Sequence, residues 1–323
     1  MRIVDVTAPG GPENLILSEA PIPTAGSGEV VIAVTAAGVN RADLLQRQGF
    51  YPPPPGASEV IGLEVSGHIH ELGPGVEGWT TGDACVAVLA GGGYAEYVAV
   101  PAGQVIPPPP GIDLVTAAGL IEVAATVVSN FDHVRLTAGE TVLLHGGAGG
   151  IGTFAIQYAR ALGARVLVTA GTPAKLTLCR SLGADVAIDY HQDWPAAVRE
   201  ATGGRGVDVI LDVMGAKYLE ANVDALAPDG RLVVIGLQGG RKGTLDLNKL
   251  LGKRATVTAT SLRGRPAAQK AAICAAVRDR VWPLVASGQL KPAPETRFPL
   301  TQVADAHRHL ESGDNTGKVV LTV

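Results

Sequence analysis

Apolar and polar positions change rhythm once along the chain. From Met1 to about Pro110, apolar residues come in short β-rich runs: Val30-Val31-Ile32-Ala33-Val34, Val60 to Ile69, Ala84 to Leu89 and Tyr94 to Val100. Turn signals such as Gly73-Pro74-Gly75 and Gly91-Gly92-Gly93 cut the runs apart. That spacing predicts a small β-barrel. Two proline runs, Pro52 to Pro55 and Pro107 to Pro110, are restricted to extended, polyproline-like backbone. The second marks a boundary; the first is either a pocket wall or a rigid connector. From Thr141 the pattern alternates. Thr141 to His145 is a short apolar run, after which Ile151, Phe154, Ala155, Tyr158 and Leu162 recur at helical spacing and Gly163 stands where a helix ends. Further strands are predicted at Arg165 to Thr169, Val186 to Asp189, Val207 to Asp212, Arg231 to Gly236 and Thr256 to Ser261. Helices are predicted at Pro173 to Leu182, Trp194 to Thr202 and Lys217 to Leu226. Near-continuous apolar strands alternating with helices mean an α/β fold, a doubly wound parallel sheet covered on both faces and wound right-handed. The last segment, Ala267 to Val323, holds two helical patterns and a terminal Val319-Val320-Leu321 strand, which suit either domain.

Composition narrows the class. A chain of 323 residues suggests about two domains at roughly 150 residues each. Apolar residues make up 46% and charged ones 17%, so a large core is available and disorder is excluded. With 30 acidic and 26 basic side chains, no basic excess exists to hold a polyanion, which excludes nucleic acid as the principal partner. Cys85, Cys179 and Cys274 lie far apart, so neither a disulfide framework nor a metal knuckle follows, and a reducing compartment is the default. No signal peptide is read at the N-terminus, and the most apolar stretch, Leu114 to Val128, reads as too short to span a bilayer. The expectation is a soluble, cytoplasmic protein with no membrane partner. The 42 glycines, beside 3 Trp, 6 Tyr and 4 Phe, call for backbone freedom at particular places.

The sharpest of those places is Gly147-x-Gly149-x-x-Gly152, between a predicted strand and a predicted helix. One glycine serves the tight turn, one the approach of backbone to a pyrophosphate, and one the packing of helix on strand. The helix start then offers free N–H groups and its positive dipole end to the phosphates. A purely structural turn is the bland alternative; the flanking strand and helix favour a dinucleotide. A cofactor with a free ribose 2′-OH wants an acid about 20 residues on. Here Thr169-Ala170-Gly171-Thr172-Pro173-Ala174-Lys175 follows, and no Asp or Glu occurs from Thr141 to Ala184, while Arg160, Arg165, Lys175 and Arg180 do. Thr172 and Lys175 suit a 2′-phosphate, which points to NADPH; a solvated first-turn lysine is the alternative for Lys175. No metal is expected. A catalytic zinc needs three protein ligands, but Glu64 has no His beside it and Cys85 has no partner. His68 and His70 share a strand face, and His307 and His309 stand two apart on a helical stretch. The cofactor must then do the hard step, with an easily reduced acceptor such as a quinone. Asn40 and Tyr51 are the polar candidates near it. Their alternatives are a cap for the Arg41 to Arg47 helix and a loop anchor.

Gly38-Val39-Asn40-Arg41-Ala42-Asp43-Leu44-Leu45-Gln46-Arg47-Gln48-Gly49, followed by Tyr51-Pro52-Pro53-Pro54-Pro55-Gly56, resembles the zinc-free quinone oxidoreductases of the medium-chain dehydrogenase/reductase superfamily. It is most similar to the p53-inducible quinone oxidoreductase branch. The resemblance continues at Gly62-Leu63-Glu64, Gly91-Gly92-Gly93-Tyr94-Ala95-Glu96-Tyr97-Val98, Gly206-Val207-Asp208, Ala306-His307-Arg308 and Gly317-Lys318-Val319-Val320-Leu321. It implies a GroES-like substrate domain at 1–117, completed by 263–323, and a Rossmann NADPH domain at 118–262. It places 2′-phosphate contacts on Thr172, Lys175 and Tyr190, and pyrophosphate contacts on Gly149, Gly150 and Ile151 within Gly147 to Gly152. Nicotinamide contacts fall on Asn40, Thr126, Gly236, Leu237, Ser261 and Leu262, and Tyr51 falls at the quinone mouth. The resemblance also implies a homodimer joined through an edge strand at 254–261. One departure stands out: the family's Pro-Glu-Ala-Trp reads Ile121-Glu122-Val123-Ala124 here, which predicts a roomier wall and puts the acceptor in doubt. The enzymatic alternative is an NADPH-dependent enoyl-thioester or alkenal reductase. It needs a positioned acid, and Gly236-Leu237-Gln238 offers none. A non-catalytic NADPH-binding protein is the alternative from another class.

Overall fold

The two rhythms become two compact units in a computed structural model that describes every residue from Met1 to Val323. One unit is Met1–Ala125 with Leu262–Gly288 and Pro292–Val323; the other is Thr126–Ser261 with Gln289–Lys291. The helix Ile121–Val134 runs across the first break, which follows Ala125.

The strands are β1 (Arg2–Val6), β2 (Leu15–Glu19), β3 (Glu29–Val39), β4 (Glu64–Leu72), β5 (Ala84–Val88), β6 (Tyr97–Pro101) and β7 (Val105–Ile106). There follow β8 (Thr141–His145), β9 (Arg165–Ala170), β10 (Val186–Asp189), β11 (Val207–Asp212), β12 (Leu226–Val234) and β13 (Thr256–Ala259). The chain closes with β14 (Glu295–Pro299) and β15 (Lys318–Thr322).

In the first unit the sheet order is β14-β15-β3-β4-β5-β7, with β6 also on β3. Strand β3 organises it. β4 runs along one edge of β3, while β6 takes Glu29–Ala33 and β15 takes Ala36–Val39. Irregularities at Val31/Ile32 and Val34/Ala36 let one strand serve both partners, which is how bulges bend a sheet toward a barrel. The terminal strand therefore belongs to this unit. Its core joins Val30, Ile32, Ala37 and Val39 to Leu44, Ile61, Val65, Tyr94 and Leu321. Two expected strands begin late. Val60–Leu63 stays outside β4, since Gly62 has φ +113° and its backbone lies against Gly93. Tyr94 precedes β6, its N–H donating to the Ile61 carbonyl and its own carbonyl accepting from the Val4 N–H.

In the second unit all pairings are parallel, in the order β10-β9-β8-β11-β12-β13. The chain enters at β8, winds outward to β10, and returns to β11, so a switch point lies between β8 and β11, where such folds bind ligands beyond the strand ends. The expected helix at Lys217 to Leu226 is a short 3-10 turn, Gly215–Tyr218, and then a helix, Leu219–Ala225, because Leu226 already opens β12. The stretch read as too short for a bilayer needs correction. Leu114–Val134 is long and apolar enough by length and composition, but 78% of its window is buried within the protein, as in a core helix.

Candidate active site

The glycine loop divides its labour as the chemistry demands. Gly146 turns the chain out of β8 with φ +75°. A methyl on Gly147 would sit 2.8 Å from Cβ of Val168, and one on Gly152 would press on the Gly146 carbonyl and lie 2.5 Å from Cα of Gly147. Both glycines are required by packing. Gly149 is different: its φ of −80° suits any residue, and a methyl there would meet only the Gly146 oxygen at 3.6 Å. Gly149 caps the helix Gly150–Ala161, whose first N–H groups, those of Gly150, Ile151 and Gly152, have no intrahelical acceptor. The result is an open cradle of backbone donors at a positive helix end, fit for a pyrophosphate. His145, next to the loop, is no base. It is buried between the Thr169 hydroxyl (3.0 Å) and the Asn222 side-chain oxygen (2.8 Å), and burial pushes its pKa down to about 4.

Beyond β9 lies the position expected to hold the ribose phosphate. The Thr172 hydroxyl accepts from the Lys175 N–H at 3.3 Å and caps the helix Pro173–Ser181. Tyr190 follows β10, its N–H donating to Ala170 O at 3.2 Å, and its hydroxyl packs where a side chain on Gly171 would go. Thr172, Lys175 and Tyr190 thus share one corner, with Tyr190 43% exposed. Asp189 stands nearby, but its carboxylate accepts from the backbone N–H and the ring Nδ1 of His191, both of which hold its pKa down.

Thr126, Gly236, Leu237 and Ser261 lie in the second unit. The Thr126 carbonyl accepts from Asn130 Nδ2 at 2.7 Å, and Asn130 Oδ1 accepts from Thr260 Oγ1 at 2.6 Å, which ties Thr126 to the end of β13. Gly236 follows β12 with Val213 O 2.8 Å from where its Cβ would stand. Asn40 and Leu262 belong to the first unit. Ala124 is fully buried.

Around Asn40 the first unit gathers groups that sequence reasoning passed over. Asn40 Nδ2 donates to Glu64 Oε1 at 3.0 Å, while Lys318 Nζ donates to Asn40 Oδ1 at 2.8 Å and to Glu64 Oε1 at 2.6 Å. Glu64 Oε2 accepts from the Glu122 N–H at 2.9 Å. Both charges are buried. The Asn40 cap reading holds only in part, since Asp43 reaches back to accept from the Asn40 N–H at 2.7 Å. Asp43 is fully buried, and burial raises its pKa to about 7 against the opposing pull of Asn40, Tyr94 and Lys318. The Tyr94 hydroxyl donates to Asp43 Oδ2 at 3.1 Å and lies 3.2 Å from His307 Nε2; His307 Nδ1 faces Arg47 Nη1 at 3.4 Å. Since arginine only donates, His307 accepts at Nδ1 and donates from Nε2, neutral, with a pKa that burial and Arg47 push down to about 3. Tyr51 lies under the buried guanidinium of Arg263, 5.2 Å from its ring centre. Arg263 also donates to the Tyr51 carbonyl (3.1 Å), the Ala90 carbonyl (2.7 Å) and Gln46 Oε1 (2.7 Å). The sequence quotes Glu64, Tyr94, His307 and Lys318 within short motifs; only the fold pairs them.

Two family descriptions match the chain: an alcohol dehydrogenase GroES-like domain at residues 26–110 and a zinc-binding dehydrogenase at residues 150–276. A 2-haloacrylate reductase from a Burkholderia species is 32% identical over 97% of this chain and 96% of its own length. A quinone oxidoreductase from Pseudomonas aeruginosa is 32% identical over 98% of each. The crystal structure of Escherichia coli quinone oxidoreductase complexed with NADPH superposes with a TM-score of 0.91 at 29% identity, covering both chains completely. The zinc in the second family description has no fitting ligand set here: no three His, Cys, Asp or Glu side chains converge, and the buried Glu64 is already matched by the Lys318 ammonium. With its GroES-like unit, its parallel nucleotide-binding sheet and full-length relatives of this kind, the chain belongs to the medium-chain dehydrogenase/reductase superfamily, as one of its oxidoreductases.

Proposed function

We propose that the protein is a metal-free, NADPH-dependent quinone reductase that works in the cytoplasm as a homodimer. The observation that carries the reading is the cofactor cradle: a helix start left open at Gly149, and a corner of Thr172, Lys175 and Tyr190 that offers hydroxyls and a cation. The N–H groups of Gly150 and Ile151 hold the pyrophosphate. Lys175, Thr172 and Tyr190 hold the 2′-phosphate. Thr126, Gly236, Leu237, Ser261, Asn40 and Leu262 line the nicotinamide, and Tyr51 stands at the mouth for the acceptor. When bound, NADPH supplies a hydride; with one proton from water, a quinone becomes the hydroquinone and NADP⁺ is left. Asn40 donates a hydrogen bond to the acceptor oxygen as charge builds there. The likeness to quinone oxidoreductases over the full chain supports this acceptor class, and the three buried free thiols suit a reducing compartment.

The likeness to a 2-haloacrylate reductase favours a second reading, reduction of an activated alkene. That reaction must protonate carbon. The nearest ammonium to Asn40, that of Lys318, is already committed to Glu64 and Asn40, and Gly236-Leu237-Gln238, just after β12, brings no ionisable side chain. Steady-state oxidation of NADPH with 1,4-benzoquinone and phenanthrenequinone tests the first reading. Turnover of crotonyl-CoA or 2-chloroacrylate without any quinone turnover would reverse the order, and NADPH binding with neither would make this a binding protein. For the cofactor itself, Lys175→Ala should weaken NADPH by about 10- to 100-fold, the worth of one hydrogen bond to a charged group, and leave NADH unchanged. Equal loss for both, by fluorescence titration, refutes the 2′-phosphate role.

A further inference from the structure

We infer that Lys318 and Glu64 are positioning residues that fix which way the Asn40 amide faces, so that it offers an N–H and not its carbonyl to the acceptor. The inference rests on the reductase reading above, and it starts from the two ends of one side chain. An asparagine amide is nearly symmetric in shape, so its orientation is decided by its partners. Here the partners are unambiguous. A lysine ammonium only donates, and it meets Oδ1 at 2.8 Å; the carboxylate paired with it only accepts, and it meets Nδ2 at 3.0 Å. Turning the amide over would set N–H against ammonium and carbonyl against carboxylate.

One Nδ2 hydrogen is thereby used. The only other acceptor for Nδ2 is Gly38 O at 3.5 Å, too long to satisfy it. A half-buried N–H is left over on a side chain whose direction is locked. The clamp is itself anchored. Glu64 Oε2 is taken by the Glu122 N–H at the start of the helix Ile121–Val134, which leaves Oε1 to serve both Lys318 and Asn40. Room for that carboxylate is made by Gly38, where any Cβ would run into Glu64. Lys318 arrives from β15, 254 residues along the chain from Glu64 and 278 from Asn40. A buried ion pair is seldom the most stable filling for such a space, whereas a fixed donor is what an acceptor oxygen gaining charge requires.

The test compares Lys318→Met, Lys318→Arg and the double variant Glu64→Gln with Lys318→Met, which buries no unpaired charge. The expected result is a loss of kcat with 1,4-benzoquinone of about tenfold or more in Lys318→Met, with NADPH affinity held within about twofold. Lys318→Arg, which keeps a donor, should recover most of it. The double variant should melt near the parent temperature yet keep the low kcat; full kcat in the double variant would overturn the inference, because it would show the pair to be filling. A readout independent of turnover is the side-chain amide of Asn40 in ¹⁵N-labelled protein. In the parent its two protons should be well separated and one protected from exchange, and in Lys318→Met the separation should collapse. Unchanged Asn40 amide signals in Lys318→Met would also overturn it. If the parent reduces no quinone, the reductase reading fails, and the amide signals still decide the orientation.

Discussion

Gly149 and Gly152 are three residues apart in one motif, yet they are glycine for opposite reasons. At Gly152 the protein leaves no space, since a methyl would lie 2.5 Å from Cα of Gly147. At Gly149 it leaves all the space a methyl needs, with an ordinary backbone conformation. Gly152→Ala should therefore cost about 3 kcal/mol of stability through forced overpacking. Gly149→Ala should stay within about 1 kcal/mol, the lost cap being offset by a stiffer unfolded chain, while NADPH binding weakens about tenfold or more. Thermal melts with and without NADPH separate the two; a Gly149→Ala protein that binds NADPH like the parent would remove the cradle argument. The motif was legible in the sequence because its spacing is local. Which glycine does which job was not, because that depends on Val168 and Gly146 lying across the turn. The same holds for Asn40. Its place at a helix start could be read, but the amide's partners on β4 and β15 could not.

At the scale of elements, the helix Arg41–Arg47 is held by a buried line of polar groups. Asp43 meets Tyr94, Tyr94 meets His307 on the helix Val303–Ser312, and Arg47 bridges His307 to Glu311. The helix was legible from its own sequence; this line was not, since its hydrogen-bonded partners stand up to 264 residues apart. It makes stability depend on pH in a definite direction. The carboxyl of Asp43 rises from 3.8 to about 7 on folding, chiefly through burial. A raised folded pKa means that the folded state holds the proton longer, so the contribution is complete below about pH 4 and is lost as pH climbs through about 7. At 1.36 kcal/mol per unit, roughly 4 kcal/mol is at stake. His145 and His307, with lowered values of about 4 and about 3, act the other way, losing stability as pH falls below about 6.5. Asp43→Asn cancels the first effect and keeps the second. Urea unfolding at about pH 5 and about pH 8 should show the parent losing about 2–3 kcal/mol relative to Asp43→Asn over that interval; parallel pH profiles would show that Asp43 does not titrate there.

Across the whole molecule, the doubly wound sheet was legible because buried parallel strands and their helices carry their periodicity locally. Thr141–His145, Val186–Asp189 and Val207–Asp212 are strands to the residue. The pair β1–β2, the two-residue β7 and β14 were not foreseen, since β1, β2 and β14 lie mostly at the surface and form no buried apolar run, and β7 is too short to show a pattern. Strand β13 was foreseen, and it raises the last question. It pairs with β12 alone and leaves its other edge open. Thr256-Val257-Thr258-Ala259 carries no charge and no proline, the usual guards of a free edge. Just before it in the chain, the helix Leu247–Lys253 exposes Leu247 by 63% and Leu251 by 77%. An unguarded edge preceded by bare leucines is costly unless it is covered, and a second copy covers an edge strand with the same strand about a two-fold axis. The protein should therefore run at twice the chain mass by light scattering. Lysines at Thr256 and Thr258 would set like charges against each other across such a pairing, and that variant should run as a monomer that still binds NADPH. A parent of single-chain mass would overturn the dimer, and a double-lysine variant that stays dimeric would place the interface elsewhere.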